Sequence, residues 1–360
     1  MKIIKQNAGI EVDSKKLVAS FQILLEDLTR EIKTSRTFSN TAKGLKDLEV
    51  WLNKNKITDL DLHLTMEATG VYYESLAYYF HEKLSFKVHV VLPNTSNAFF
   101  KSHNLKSKTD DIDAIGLGMM GLERPLKVWE PITTQMRVLK KLVRERLRLV
   151  KEKTLVSNQL HSENASYEPY PATIKRFEKR LVFLAKQIKQ IEKELAALVA
   201  KDKALQQRID NVCTAKGLGF ITAIGVVAEM NGFILFKNRN QIVSYTGYDV
   251  IKRESGTSVR GKTKISKKGN SYVRQMLYMA AMSAAVHDEH HKAYYKRIVV
   301  KTSIPLKANV AIQRKMLLLI YTLFTKNVPY DPNYQVKLRE ILKPKSKNEQ
   351  QPIKVEATAN

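Results

Sequence analysis

The sequence predicts an α/β N-terminal region followed by two mostly helical regions. Strand-like apolar runs alternate with helix-like runs early in the chain, a heptad pattern occupies the middle, and helices with glycine-marked turns fill most of the remainder. The chain has 360 residues, which suits two or three domains because one domain usually holds roughly 100–200 residues. We expect an α/β domain over residues 1–128, a coiled-coil helical region over 129–210, a mostly helical C-terminal domain over 211–330 and a polar, disordered tail over 331–360.

The charge balance predicts a polyanionic partner. Lys and Arg total 61 against 35 Asp and Glu, which gives a formal net charge of +26, and 44% of the residues are hydrophobic. That apolar fraction excludes general disorder, and a basic excess of this size is typical of nucleic-acid binding. No run of about 18 uninterrupted apolar residues exists, so we expect no membrane span. The absence of a recognisable secretory signal and the lone Cys213 predict a cytoplasmic protein without disulfides or a multi-cysteine zinc site.

Alternating strands and helices organise the N-terminal region. Strand-like runs lie at residues 12–24, 60–66 and 86–92, and helix-like runs lie at 41–52 and 73–84. Residues 9–21 have the pattern of a strand, a short turn and a second strand. The alternation indicates a sheet flanked by helices.

A heptad seam defines the helical region. Pro169 and Pro171 separate it from a basic helix over 136–153, because proline breaks a helix interior. The seam resumes at Leu205 and Ile209 after an interruption at Asp202. Two compatible interpretations stay open: the seam packs back on the basic helix as a hairpin, or it forms a dimer contact. Its members alternate in steps of three and four residues: Ile174, Phe177, Leu181, Leu184, Ile188, Ile191, Leu195 and Leu198.

Carboxylates occur at strand ends and at one helix start. Glu11 and Asp13 share one face of a strand, Glu67 ends an apolar strand, and Asp110 and Asp113 share one face of a helix start. Acids that converge repel one another unless cations lie between them, and hard oxygen ligands suit Mg²⁺ or Mn²⁺. Two such ions about 4 Å apart support phosphodiester chemistry. Taken singly, the same acids suit helix caps and turns.

A basic segment with glycines and serines occupies residues 251–274. It carries eight Lys or Arg side chains and one acid. Lys and Arg neutralise phosphates and glycine lets the backbone approach them, so nucleic-acid binding is favoured over a solvated basic surface. A serine among these cations could attack phosphorus, although most loop serines hydrogen-bond within turns. The candidate nucleic-acid ligands are Arg253, Arg260, Lys262, Lys264, Lys267, Lys268 and Arg274.

Two other patterns carry less weight. His287 and His291 are four residues apart in the stretch HDEHH and could bind a metal ion on one helix face, but an exposed polar helix end is the favoured interpretation. The sequence has no GxxxxGK[ST] loop, which argues against an ATP-driven motor.

An ordered set of motifs resembles the insertion-sequence-one-ten family of transposases. The motifs are GIEVDSK, MEATGVYYESL, KTDDIDA, GLGFITAIGVVAEM, FKNRNQIVSYTGY and ESGTSVRGKTKISKKGNSYVRQMLYMAA, and together they span about residues 8–325. The resemblance implies a RuvC-like, ribonuclease-H-like N-terminal domain, a coiled-coil spacer and a C-terminal transposase domain.

The resemblance also implies a set of four acids that bind Mg²⁺. Glu67 matches the second acid, and Asp110 and Asp113 match the last pair. The family usually has Gly-Ile-Asp where this chain has Gly-Ile-Glu, so Glu11 matches the first acid. Asp13, two residues on, is the alternative.

A serine nucleophile is the next implication of the resemblance. Ser255 is the best match, with Ser258 and Ser266 as alternatives. Donor and target DNA, a structured guide RNA and a homo-oligomer (dimer or tetramer) are the implied partners, the acids of one subunit working with the serine of another. The expected activity is site-specific DNA strand cleavage and exchange at the bacterial nucleoid. The rivals are a metal-dependent, structure-specific endonuclease resembling junction resolvases, and a non-enzymatic nucleic-acid scaffold.

Overall fold

The computed structural model describes residues 1–83, 86–105, 107–252, 254–256, 258–261 and 263–334. The chain divides into two compact units, Met1–Pro131 (unit 1) and Ile132–Asn360 (unit 2). The division lies close to the predicted boundary at residue 128. The further predicted division at residue 210 falls inside unit 2 and stays a prediction. Of the predicted tail, only residues 331–334 are among those described.

Unit 1 is built on a five-stranded mixed sheet with the order β3-β2-β1-β4-β5. Strand β1 pairs antiparallel with β2 and β2 with β3, whereas β1, β4 and β5 run parallel. The sequence analysis missed β3 because its REIKTSRTFS stretch is polar and mostly exposed, as an edge strand is. The strands are β1 Ile3–Val12, β2 Lys16–Leu25, β3 Arg30–Ser39, β4 Leu62–Glu67 and β5 Phe86–Val91.

Helices flank this sheet, as the alternation predicted. Helices α1 (Ala42–Asn55) and α2 (Tyr73–His81) correspond to the predicted helix-like runs, and α3 covers Pro93–Ser102. Helix α4 (Asp110–Glu123) packs across β1, β2 and β4. Its register on the sheet therefore decides where its first-turn acids lie.

Glycine and amide side chains set the contact between α4 and the sheet. A Cβ on Gly9 would lie 2.1 Å from the backbone nitrogen of Gly118, so the helix touches the strand backbone. Asn7 Nδ2 donates to the Gly118 carbonyl at 2.9 Å, and the Thr65 hydroxyl donates to Asn7 Oδ1 at 3.0 Å. Gln22 Nε2 donates to a further α4 carbonyl at 2.9 Å. The bonds from Asn7 of β1 and Gln22 of β2, with Thr65 of β4 holding Asn7, fix both the position and the rotation of α4, because unpaired buried amides are costly.

Unit 2 begins with two long helices that pack side by side. They are α5 (Thr134–Asn164) and α6 (Pro171–Ala200). The ion pairs Arg146–Glu192 (2.7 Å) and Arg180–Glu152 (2.9 Å) join them in antiparallel order. Seam residues such as Leu184, Ile191 and Leu195 are buried within the chain's own fold, which is the predicted hairpin. The dimer contact stays a prediction.

The heptad seam does not continue as one helix. Helix α6 ends at Ala200, and Asp202 caps a new helix, α7 (Lys203–Cys213), by accepting a bond from the Leu205 N–H at 3.0 Å. The apolar period carries across the break, which is why the sequence alone suggested continuity. An aspartate that bonds a backbone N–H in the next turn favours a fresh N-terminus.

The rest of unit 2 is a helical core with one strand-containing projection. Helix α8 is buried along most of its length and packs with α5, α7, α10 and α12. Among the described residues, none of the helices combines the length and apolar character needed to cross a membrane. The remaining helices are α8 Phe220–Glu229, α9 Arg239–Tyr245, α10 Ser271–His287, α11 Glu289–Thr302 and α12 Pro305–Lys326.

The predicted basic loop is folded into nested antiparallel strand pairs. Strand β6 (Val250–Ile251) pairs with β9 (Lys264–Ile265). Strand β7 (Glu254–Ser255) pairs with β8 (Val259–Arg260). We call residues 250–265 the basic arm.

Candidate active site

The parallel strands β1 and β4 bring two carboxylates to one edge of the sheet. Ile10 is paired with Met66, so Glu11 and Glu67 follow side by side. Helix α4 adds Asp110 and Asp113 in its first turn, and the Thr109 hydroxyl caps that turn by accepting from the Ile112 N–H at 3.3 Å. The carboxyl ends of parallel strands are where such folds gather functional groups.

The pKa shifts of Glu11 and Asp113 indicate that the four acids lie near one another. Burial raises the pKa of Glu11 to about 7, with further contributions from Glu67, Asp113 and Asp110. Burial likewise raises the pKa of Asp113, and Glu67 and Asp110 add to that rise while Lys108 opposes it. Acids that resist ionisation in this way gain from a cation placed among them.

Polar neighbours hold two of the four carboxylates. The Thr69 hydroxyl donates to Glu67 Oε1 at 2.9 Å, and the Ser96 hydroxyl donates to Glu67 Oε2. Lys16 Nζ lies 2.5 Å from Asp110 Oδ2. Within the described residues no three His, Cys, Asp or Glu side chains are already gathered as a metal cage. The all-carboxylate donor set nevertheless fits a hard divalent cation, because burial and then the neighbouring acids raise the pKa of Glu11 and a cation would offset both effects.

Asp13, the alternative first acid, lies apart from this group. It is exposed in the turn between β1 and β2, and a bond from the Ser14 backbone N–H is the chief cause of its lowered pKa. It does not contribute to the raised pKa of Glu11 or Asp113. The structure therefore groups Glu11, and not Asp13, with the other three acids.

The three candidate serines have different surroundings. Ser255 lies on β7 and is exposed, and Ser258 lies in the exposed turn between β7 and β8. Ser266 instead donates to Asp249 Oδ1 at 2.5 Å and accepts from the Lys268 N–H at 3.2 Å. Ser266 thus closes the base of the basic arm, whereas Ser255 and Ser258 face solvent.

The predicted nucleic-acid ligands divide in a similar way. Lys264, Lys267 and Lys268 are exposed, and Arg260 belongs to β8. Arg274 donates to the Thr246 carbonyl at 2.7 Å, which anchors the turn before the arm. Arg253 and Lys262 lie outside the described residues.

A buried network at the base of the arm escaped the sequence analysis. Glu229, buried at the end of α8, accepts from Arg144 Nε at 2.5 Å and from Arg144 Nη2 at 2.9 Å. Asn270 donates to Glu229 Oε2 at 2.7 Å and also caps α10. The start of α10, which follows the arm, is thereby tied to α5 and α8. The available signal was a single acid in the apolar stretch GVVAEM, because an isolated buried carboxylate needs a partner.

The histidine pair does not form a metal site in the structure. His291 is buried, not exposed, and its Nδ1 lies 2.8 Å from Asp288 Oδ1. His287 ends α10. The expectation of an exposed polar helix end is therefore wrong for His291, which packs with its capping aspartate.

Comparisons with known proteins cover both units. Residues 8–163 match the DEDD transposase family of the IS110 type, and residues 209–296 match the "Transposase IS116/IS110/IS902 family". A pilin gene-inverting protein of Moraxella bovis is 26% identical over 300 residues, which cover 82% of this chain and 90% of the relative. That of Moraxella lacunata is 25% identical over 332 residues, covering 91% and 98%.

One solved structure gives only a weak likeness. The Ppx/GppA family member of Aquifex aeolicus has a TM-score of 0.22 and 11% identity while covering 94% of this chain and 98% of its own, and a TM-score this low supports no conclusion about the fold.

The family matches agree with the geometry. The first match contains all four grouped acids, and the second contains the basic arm with Ser255. A DEDD transposase domain implies a RuvC-like fold, with which the mixed sheet of unit 1 agrees, and it suggests a divalent metal cation. From the motifs, the sheet and both family matches, the chain belongs to the IS110 family of transposases.

Proposed function

We propose that this transposase cuts and exchanges DNA strands at specific sites by means of a metal-dependent acidic site and a serine nucleophile. The observation that carries the proposal is the placement of Glu11, Glu67 and the α4 acids at one sheet edge. The pilin gene-inverting proteins are relatives whose name states a DNA rearrangement, which suits the same chemistry.

The acids are proposed to hold Mg²⁺ or Mn²⁺. Such an ion would stabilise charge on the scissile phosphate and its leaving oxygen. Within the chain, Ser96 and Thr69 orient Glu67, and Lys16 pairs with Asp110. A cation bound among the acids would favour the ionised forms of Glu11 and Asp113, because it offsets the burial and the neighbouring negative charges that raise their pKa.

Ser255 is the proposed nucleophile. Its Oγ would form a bond to phosphorus while the bond from phosphorus to one sugar oxygen breaks. The serine proton leaves, and the released sugar oxygen takes one up. The covalent serine–DNA ester conserves the bond energy, so the strand can be rejoined to another end without ATP. Exposure of Ser255 on β7 supports its access to DNA.

The proposed partners are donor DNA, target DNA, a structured guide RNA and further copies of the chain. The exposed lysines on and after the arm's return strand suit phosphate contacts, namely Lys264, Lys267 and Lys268. The acids and the serine lie on different units, which is compatible with one subunit serving another. On α6, Val182 and Phe183 remain exposed beside the packed seam and offer an apolar contact.

A denaturing gel of purified protein with labelled donor and target DNA, guide RNA and Mg²⁺ tests the proposal. We expect a labelled band at protein size with the wild type and with Ser258→Ala, which removes a neighbouring exposed hydroxyl. We expect no band with Ser255→Ala or Asp113→Asn. An undiminished band with Ser255→Ala would refute the serine assignment.

A structure-specific endonuclease is the second candidate, because unit 1 holds the grouped acids without any need for Ser255. It predicts shortened DNA without an adduct and full activity in Ser255→Ala.

Metal binding at the acidic site is tested separately by thermal unfolding with and without Mn²⁺. Mn²⁺ should stabilise the wild type by about 1–3 kcal/mol at saturating concentration and should stabilise Asp113→Asn much less.

A further inference from the structure

A groove on unit 2 runs along helix α12, and its described lining residues lie outside the basic arm. It lies between α12 and the segment 328–334, with the start of α11 and Arg239 at its sides. The chain reverses into this segment at Asn327, which has a positive φ of 53° and ends the helix. The groove encloses about 390 Å³, and we call it the α12 groove.

Cations mark both ends of the α12 groove. Lys315, Thr322 and Lys326 lie on one face of α12, because offsets of 7 and 11 residues are close to two and three turns. The two lysines are thus about 16 Å apart along the axis. Arg239 Nη2 lies 3.5 Å from Thr322 Oγ1 near the Lys326 end, and His290 lines the Lys315 end.

Among the described residues, these cations have no carboxylate partner. In the part of the chain that the structure describes, Arg239, Lys315 and Lys326 form no ion pair. Lys315 Nζ lies 3.8 Å from the centroid of the Tyr294 ring, and the Arg297 guanidinium carbon lies 5.0 Å from the same centroid. Burial and then Arg297 lower the pKa of Lys315. Crowded cations of this kind are stabilised by an added anion.

The nearby acids are already engaged in shaping the wall. Asp288 accepts from the His291 backbone N–H at 2.9 Å, and its other oxygen lies 3.5 Å from the Tyr330 hydroxyl. Asp331 accepts from the Asn333 N–H at 2.8 Å. Tyr330 and Tyr334 line the wall, and Tyr334 is 54% exposed. The floor is apolar, from leucines of α12.

We propose that the α12 groove binds a few nucleotides of single-stranded nucleic acid. Its two cationic ends would take phosphates, and the exposed Tyr334 ring would stack on a base. A spacing of about 16 Å is too long for one phosphate to bridge, and charged grooves lined by aromatic rings are the usual form of single-strand sites. Only the choice of nucleic acid as the ligand rests on the proposed function.

Fluorescence anisotropy of the full chain with short oligo-dT and oligo-U tests it, with the salt concentration varied. Lys315→Gln combined with Lys326→Gln should weaken binding at least tenfold and should reduce the slope of log K against log salt by about 1.4, since each single-strand phosphate contributes about 0.7. The matched control Lys301→Gln with Lys307→Gln removes the same charge from exposed positions of α11 and α12 and should change binding less than about twofold.

Aromatic variants separate stacking from charge. Tyr334→Ala should weaken binding about fivefold or more, whereas Tyr334→Phe keeps the ring and should bind within twofold of wild type. Equal losses in groove and control lysine variants, or no loss with Tyr334→Ala, would overturn the site. Binding of adenosine monophosphate as tightly as the oligonucleotides would assign the groove to a free nucleotide instead. Strand exchange by the groove variants is measured in a separate assay. The binding result can therefore be interpreted even if the protein does not exchange strands by the proposed mechanism.

Discussion

The acidic edge of unit 1 and the basic arm of unit 2 are constructed by opposite means. Glu11 and Glu67 extend from buried strands, and α4 is fixed on the sheet by amide bonds and a glycine contact. Ser255 lies on a two-residue strand whose side chains are exposed, and the anchoring bonds lie at the base of the arm. One group is positioned by a core, and the other is presented to solvent.

The two sites therefore differ in which parts are in place before DNA binds. A cluster of carboxylates has to be held against its own repulsion, so it needs rigid neighbours. A serine that attacks a large substrate has to be reached from outside, so exposure is an advantage. Substitutions at the two places should therefore affect different properties. Changes beneath the acids should lower the stability of the fold, and changes at Ser255 should lower only activity.

The largest change in stability is expected from Gly9→Ala, in the contact between β1 and α4 beneath the acids. The new Cβ would lie 2.1 Å from the Gly118 backbone, which cannot move aside cheaply. We expect a loss of about 3 kcal/mol of stability from this overpacking. Tryptophan fluorescence reports it, because Trp51 and Trp129 both lie in unit 1. Gly219→Ala in unit 2, followed by circular dichroism at 222 nm, should cost less than about 1 kcal/mol because nothing lies within 4 Å of the new Cβ.

A second change tests whether the base of the arm is as firmly built as the acidic edge. Glu229→Gln removes the charge that pairs with Arg144, whose side chain is 34% exposed, and we expect a loss of about 2–3 kcal/mol. Thermal unfolding followed by circular dichroism at 222 nm measures it. Glu192→Gln breaks a half-exposed ion pair of α6 and should cost under about 1 kcal/mol. Similar losses in both variants would show that the buried network has no special weight.

The pH dependence of unit 1 comes next in size. His63 Nδ1 lies 2.8 Å from His89 Nε2, and burial, followed by His89, lowers the pKa of His63 to about 4. Its neutral form therefore stabilises the fold fully above pH 6.5, and this contribution is lost as the pH falls from 6.5 towards 4. Screening at a half-buried ring limits the effect to about 1–2 kcal/mol.

Tryptophan-detected urea unfolding between pH 7 and 4 measures that dependence. The difference in stability between wild type and His63→Gln should shrink or reverse over this window. His161→Gln, on the exposed part of α5, serves as the control and should follow wild type. A constant difference between wild type and His63→Gln across the range would contradict the assignment.

Ser255→Ala should give the smallest stability change. The side chain is exposed and no hydrogen bond to it lies within the described residues, so the free energy of unfolding should change by less than about 0.5 kcal/mol. The fluorescence and circular dichroism signals should remain those of wild type while the proposed covalent DNA adduct is not formed. A clear loss of stability would mean that Ser255 holds the arm together, and the comparison would then fail.

Much of the architecture was predictable because the local spacing of apolar residues indicates individual strands and helices. Alternating and heptad patterns indicated β2, β4, β5, α1, α2 and the helical hairpin, and proline indicated the end of α5. The edge strand β3 escaped because its exposed residues carry no apolar alternation. The nested strands of the arm escaped for a similar reason, since two-residue strands in a polar segment have too few side chains to show a period.

The candidate acids were also predictable, but their grouping was not. Asp110 and Asp113 share a helix face by spacing alone, whereas the choice between Glu11 and Asp13 needed the register of β1 against β4. Glu229 resembled any acid at a helix end until Arg144 and Asn270 were found against it.

By itself, the sequence determined the positive charge, the alternation of elements, the acids at strand ends and the serines of the basic segment. Contacts in three dimensions are needed to place Glu11 with Glu67 and the α4 acids and to show that Ser266 closes the arm while Ser255 faces solvent. They also line the α12 groove with cations that form no ion pair among the described residues. The physical reason is that periodicity records which face of one element is apolar. Convergence depends instead on strand register and helix rotation, which are fixed by contacts between residues distant in sequence.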